Sequence, residues 1–291
     1  MTTFGELTDQ IHSLLHSTTG VQEQMTWLTA SCTAADTTLE VQSSDAISQG
    51  ISEVGDELVY VATSAANNLN LAPFGRGFRG SIPVSHDANT AVVFNPFFPR
   101  AEIKRAINQC LNETYPTLYR VKSTTFTFAG AQLTYELPAD CEQVFRVDWE
   151  TVGPSRDWAT SYGWRYDPQS QEASGKALTL LDLPQQGRTV KVIYQAKFTP
   201  FVNDDDLLSD IGFPESAADV LLYGVAAKLV RFLDVARLQL ASVENTSRAQ
   251  LVGAADAGKI ANQMYAMYQQ RLTEERRRLL TTNPPSMNFT G

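Results

Sequence analysis

Apolar residues in the first segment recur at Leu7, Ile11, Leu14 and Leu15, with Asp9, Gln10 and Ser13 on the other side of a helical repeat. Phe4 to Ser17 is predicted as a short amphipathic helix. From about Thr26 to Asn95 the pattern changes to short β-rich runs, Thr38 to Gln42, Glu57 to Thr63, Asn68 to Ala72 and Thr90 to Phe94, separated by Gly, Asn, Asp and Ser clusters. These predict a small all-β, barrel-like module. Two prolines in Asn95-Pro-Phe-Phe-Pro99 remove backbone donors and bias their predecessors away from helix. The module boundary is placed there, dividing the chain into 1–97 and 98–291.

Pro99 suits a first helical turn, and Ile103, Ala106, Ile107, Cys110, Leu111, Thr114 and Tyr115 follow it as one buried stripe. After Pro116 comes a second β-rich stretch: Thr124 to Phe128, Gln132 to Leu137, Gln143 to Trp149, Ala177 to Leu181 and Val190 to Ala196. Punctuated by Pro138, Pro154, Pro168 and Pro184, it predicts an antiparallel sheet or sandwich inserted at about 121–200. The last third is helical. Residues 216–240 are apolar almost all round, which predicts a helix covered on several sides. Thr246 to Thr281 continues as a helix of about 50 Å, longer than a protomer of this size needs internally. Beyond it, residues 283–291 form a proline-broken arm carrying Met287 and Phe289. The fold class is α+β: a small β module, then a helical core with an inserted antiparallel sheet and a long C-terminal helix.

Composition adds limits. With 291 residues, 43% hydrophobic and 19% charged, the chain is an ordinary globular protein with apolar sequence for real cores. Cys32, Cys110 and Cys141 lie far apart without metal-ligand spacing and are expected to be buried thiols of a reducing cytoplasm. The start lacks a basic n-region and an apolar h-region, and no stretch reaches about 18 uncharged apolar residues, so neither secretion nor membrane spanning is expected. A net charge of −9 opposes a dedicated nucleic-acid binder, since phosphate affinity comes mainly from Lys and Arg. A surface that DNA slides past without sticking stays compatible.

The motifs that could carry chemistry lack their context. Gly75-Arg-Gly-Phe-Arg-Gly80 spells G-x-G-x-x-G, yet Ser81-Ile-Pro83 follows where a dinucleotide site needs a helix, so a glycine-rich hairpin connection is expected. Gly253 to Lys259 fits G-x-x-x-x-G-K, but Ile260 stands where magnesium requires a hydroxyl. His12 and His16 share a helical face at i, i+4 but lack the glutamate and third ligand of a zinc site. Asp204-Asp-Asp206 reads as a solvated loop. We therefore expect no catalytic residues, no cofactor and no metal. Two clusters remain as candidate interfaces. Trp149, Trp158 and Trp164 offer flat aromatic surface, suited to a subunit contact or to stacking on sugar. Arg271, Arg276, Arg277 and Arg278 oppose the negative end of the helix dipole, or pair with acidic residues of a neighbour.

Two stretches carry a resemblance. Arg76-Gly-Phe-Arg-Gly-Ser81, followed by His86, resembles a signature of small β-modules in phage tail and neck proteins. Tyr115-Pro116, Tyr135-Glu-Leu-Pro-Ala-Asp140, Arg188-Thr-Val-Lys-Val-Ile-Tyr194, Ala226-Ala-Lys-Leu-Val-Arg231 and Arg271-Leu-Thr-Glu-Glu-Arg276 occur in an order that resembles tailed-phage head-to-tail connector, or adaptor, proteins. The resemblance implies a non-enzymatic virion protein, assembled in the bacterial host cytoplasm, that forms a homo-oligomeric ring, commonly twelve-fold. Its implied partners are further copies of itself, the portal protein, the tail terminator, tail tube or other neck proteins, and passing double-stranded DNA bound without sequence specificity. The arginines, with Met287 and Phe289, would then dock on adjacent rings. The alternative is a tail-tip, baseplate or fibre-attachment protein that binds host carbohydrate.

Overall fold

Helix α1 (Phe4–Thr19) starts on a reciprocal cap. Glu6 N–H donates to Thr3 Oγ1 and Thr3 N–H donates to Glu6 Oε2, both at 3.1 Å, so two donors that the helix leaves unpaired are satisfied. Its buried face is Leu7, Ile11 and Leu15, as the spacing predicts. The computed structural model describes residues 1–19, 23–45, 47–151, 157–241 and 254–284. The chain divides into two units: Thr3–Cys110 with Leu221–Tyr268, and Met1–Thr2 with Leu111–Val220 and the chain from Gln269.

In the first of these units, β1 (Gln24–Trp27), β2 (Thr38–Glu40), β3 (Gly50–Val54), β4 (Glu57–Ala65), β5 (Asn68–Leu71) and β6 (Ala91–Phe94) form one antiparallel sheet. The order is β1-β6-β3-β4-β5-β2. The strands at its two ends are themselves joined, by Thr29 N–H to Glu40 O and Gln42 N–H to Trp27 O, each 2.9 Å. Two-residue turns set the hairpins: Val54 pairs with Glu57, and Ala65 pairs with Asn68 across Ala66 and Asn67, both at positive φ. Leu39, Val54, Val59, Val61, Leu69 and Val92 fill the core. The strand runs of the sequence missed β3, because its buried Ser52 and Glu53 interrupt the apolar pattern.

Helix α2 (Arg100–Thr114) follows Pro99, and Ile103, Ile107, Cys110 and Leu111 are buried along one stripe. Glu53 caps its start: Arg100 N–H donates to Glu53 Oε1 at 2.5 Å. Asp56 receives Arg100 Nε at 3.0 Å and also pairs with Lys104, while Arg100 reaches Asp9 of α1. Helix α3 (Ala218–Ala241) buries Val220, Leu221, Val225, Ala226, Ala227 and Val230. Gly224 sits in its middle for a steric reason. A Cβ there would lie 2.6 Å from Cys110 Sγ and 2.9 Å from Tyr268 of helix α4 (Ala254–Thr282). The described α4 is about 43 Å long at 1.5 Å per residue. The earlier part of the expected helix, 246–253, lies outside the described residues.

The second unit holds β7 (Arg120–Thr127), β8 (Thr134–Glu136), β9 (Gln143–Glu150), β10 (Trp158–Ser161), β11 (Trp164–Asp167), β12 (Ala177–Leu180) and β13 (Thr189–Ala196). They form two antiparallel sheets, β10-β9-β13-β7 and β11-β12-β8. One core joins both: Val147, Val190, Val192 and Tyr194 from the first sheet, Tyr135, Trp164, Leu178 and Leu180 from the second. This is the antiparallel insertion that the sequence predicts. Strands β10 and β11 were not predicted, since Trp, Tyr, Ser and Gly in that stretch show no alternation.

Candidate interaction surfaces

At the C-terminal part of α4, charge is divided between internal and exposed uses. Glu275 is 4% exposed and accepts bonds from Ser216 Oγ and Arg278 Nη1, each 3.1 Å. Arg271 donates to Glu274 at 2.5 Å, to Ser216 O at 2.9 Å and to Glu275 at 3.3 Å, with Asp219 at 3.5 Å. Arg271 thus fixes α4 to the start of α3, a role the sequence could not distinguish from docking. Arg276, Arg277 and Arg278 are exposed. Beside them lies a cavity of about 270 Å³, with apolar walls from Leu118, Tyr119, Phe198 and Leu279 and polar ones from Arg278 and Thr282. Met287 and Phe289, the other expected docking residues, lie outside the described residues.

The tryptophans do not share one surface. Trp164 is buried at 3% exposure, Trp149 packs partly buried against the same core, and Trp158 is 47% exposed on the opposite face of the first sheet. Register explains the split. Trp149 pairs with Ala159 and Val190, whereas Trp158 pairs with Glu150 and carries Lys191 Nζ 5.7 Å from its ring centre. Three other exposed apolar side chains of this unit lie at the Tyr162–Gly163 turn and the chain that bonds to it. Asp182 holds that turn by accepting from Gly163 N–H at 2.7 Å and Tyr162 N–H at 3.1 Å, and Leu181 N–H donates to Gly163 O. Tyr162, Leu181 and Leu183 are each more than half exposed there. Only the run Leu180-Leu-Asp-Leu183 could have signalled this patch.

Residues 84–286 match the SU10 adaptor protein family, which covers well over half of the chain. The chain belongs to this family. It is a phage adaptor, a structural component of the virion that interacts with other neck proteins. A search of curated proteins finds no match. No helix among the described residues is long and apolar enough to cross a membrane.

The adaptor spends its motif residues on its own architecture. Glu57 is fully buried, and Arg76 grips both its oxygens, Nε to Oε1 at 2.7 Å and Nη2 to Oε2 at 2.8 Å. Gly77 N–H, Val84 N–H and His86 Nε2 complete its shell at 2.9–3.2 Å. Burial would raise the Glu57 carboxyl, but hydrogen bonds from Arg76, His86, Gly77 and Val84 outweigh it and hold the group below its usual range. Arg76 also binds the Thr33, Asp36 and Val84 carbonyls. The Arg-Gly…Gly-Ser…His stretch is therefore a buried charge knot, and the Gly77 amide that a phosphate would need is already used. Gly77, Arg79 and Gly80 all lie at positive φ around a short 3-10 turn, Phe78–Gly80, where a dinucleotide site would begin a helix; the stretch joins β5 to β6, which do not pair, so it is a crossing loop and not the hairpin connection expected from its glycines. Lys259 lies within α4. Asp206 closes a turn by accepting from Val202 and Asn203 N–H at 2.7 and 2.8 Å, bonds that lower its carboxyl pKa. The three cysteines are buried and unpaired with one another.

The expectation for the two histidines also needs correction. His12 and His16 have a carboxylate partner after all, Glu23, which the fold brings back to α1 from just before β1. No fixed spacing in the sequence signals it.

Proposed function

We propose that the adaptor forms a homo-oligomeric ring, twelve-fold by analogy with the connectors it resembles, that joins the portal to the tail and lines the channel through which DNA passes. One observation carries the reading: Arg276, Arg277 and Arg278 stand exposed at the end of a long helix that Arg271 and Glu275 hold in place. Internal ion pairing consumes Arg271 and engages Arg278 through Glu275, so Arg276 and Arg277 are the pair offered to a neighbour, where planar guanidinium groups bind carboxylates with geometric specificity. The apolar Tyr162–Leu183 patch supplies complementary burial for a copy-to-copy contact. A net charge of −9 suits a lumen that does not hold DNA. The N-terminal sheet, whose end strands bond to each other, is read as a barrel-like module. In this reading it meets a tail or fibre protein.

Light scattering on the purified adaptor, alone and mixed with its portal, tests this directly. A ring-sized species in either sample is expected. A monomer in both ends the ring reading.

A further inference from the structure

His12 and His16 sit one turn apart on α1, and their Nε2 atoms lie 3.1 Å apart, with ring centres at 4.3 Å and planes inclined by 64°. Glu23 Oε2 is 3.2 Å from His16 Nε2, and the three donor atoms all lie within 4.8 Å of one another. Protons alone satisfy this arrangement poorly. In either neutral tautomer of His16 one contact is left unsatisfied: a protonated Nε2 has one proton for both His12 and Glu23, and an unprotonated Nε2 that accepts from His12 faces the Glu23 carboxylate lone pairs. A cation at that point would satisfy all three. Ligands about 2.0–2.1 Å from a tetrahedral Zn²⁺ are separated by about 3.3–3.4 Å, so the His12–His16 and His16–Glu23 separations need open by only a few tenths of an ångström, and the His12–Glu23 separation, within 4.8 Å, is set by rotation of the Glu23 carboxylate.

The surroundings support a built site. Glu23 is oriented from behind, its Oε1 accepting Phe97 N–H at 2.7 Å, which is how outer partners fix a ligating carboxylate. The three side chains are each partly buried. Arg100, whose charge acts on His12, is itself paired with Asp9 and Asp56.

We propose that His12, His16 and Glu23 bind a divalent transition-metal ion of the Zn²⁺ class, with the fourth position taken by water or by a ligand from another molecule. The ion clips α1 to the chain entering β1, and through Glu23 to the segment before α2. Residues 12–23 lie outside the matched 84–286 stretch, so the inference stands apart from the ring reading.

The test uses the full chain, stripped with EDTA and titrated with Zn²⁺ by calorimetry. One ion per chain and a higher melting temperature with Zn²⁺ are expected. Co²⁺ in its place gives the visible spectrum of a tetrahedral nitrogen–oxygen site. His12→Ala and Glu23→Gln, the latter keeping an acceptor for Phe97, weaken binding by roughly 100-fold or more, since losing even an outer partner costs about 10–100-fold. Melting in EDTA checks that each variant folds. In the unsubstituted protein Zn²⁺ shifts the ring ¹⁵N resonances of two of the three histidines, a readout independent of any variant. Absence of stoichiometric binding, binding unchanged in folded His12→Ala, a thiolate-to-cobalt charge-transfer band, or unshifted ring resonances each overturns the proposal.

Discussion

Two buried carboxylates near one another in the N-terminal sheet have opposite fates, and their partners explain why. Glu57 has a two-pronged arginine, a histidine and two amides, and stays ionised. Glu53 has one amide from Arg100, and burial pushes its carboxyl up to about 8, with the Arg100 charge opposing the shift and Asp56 and Glu23 adding to it. Arg76→Ala strands the Glu57 charge and is expected to cost about 3–5 kcal/mol in urea unfolding. Arg76→Lys does not restore it, because an ammonium cannot form the fork. For Glu53 the folded carboxyl binds its proton more tightly than the unfolded one. Its contribution is therefore complete below the ordinary carboxylate range and is lost as pH rises through about 8. Between those limits wild-type stability should fall relative to Glu53→Gln, by up to about 1.4 kcal/mol per pH unit. Parallel stability curves for the two proteins would refute the assignment.

Among the elements, Gly224 shows how closely the helices approach. The all-round apolar pattern of α3 predicts burial but not the distance at which its neighbours pack. With Cys110 Sγ 2.6 Å from a would-be Cβ, Gly224→Ala should destabilise by about 1–3 kcal/mol through overpacking, against a gain of about 1 kcal/mol in helix propensity. A higher melting temperature in that variant would show that the helices can yield. Periodicity identified α1, α2, α3 and the described part of α4 because each buries one continuous stripe or surface. It missed β1, β3, β10 and β11, where buried polar residues or scattered aromatics hide the alternation. Burial of Trp164 beside exposure of Trp158 follows from strand register, which no run of residue types reveals.

For the whole molecule, the adaptor's surface charges should govern assembly more than its stability. Replacing both Arg276 and Arg277 by Glu is expected to leave the melting temperature nearly unchanged, since neither lies in the Arg271–Glu275 hub, while abolishing association with portal in co-sedimentation. Wild-type association should weaken as salt rises, because the Debye length is about 8 Å at physiological ionic strength. A variant that associates normally would rule out Arg276 and Arg277 as the docking surface.

By itself the sequence determined the α+β class, the antiparallel insertion and the long terminal helix, together with the adaptor resemblance. Those follow from local periodicity and from motifs that stand next to each other in the chain. Tertiary structure decided which charges are consumed and which exposed: Arg271 against Arg276, Arg76 against a phosphate-binding reading, and Glu23 beside two histidines. Each depends on residues brought together from distant positions or on which side of an element faces inward. Pairwise distances of a few ångströms settle it, and only the folded chain sets those distances.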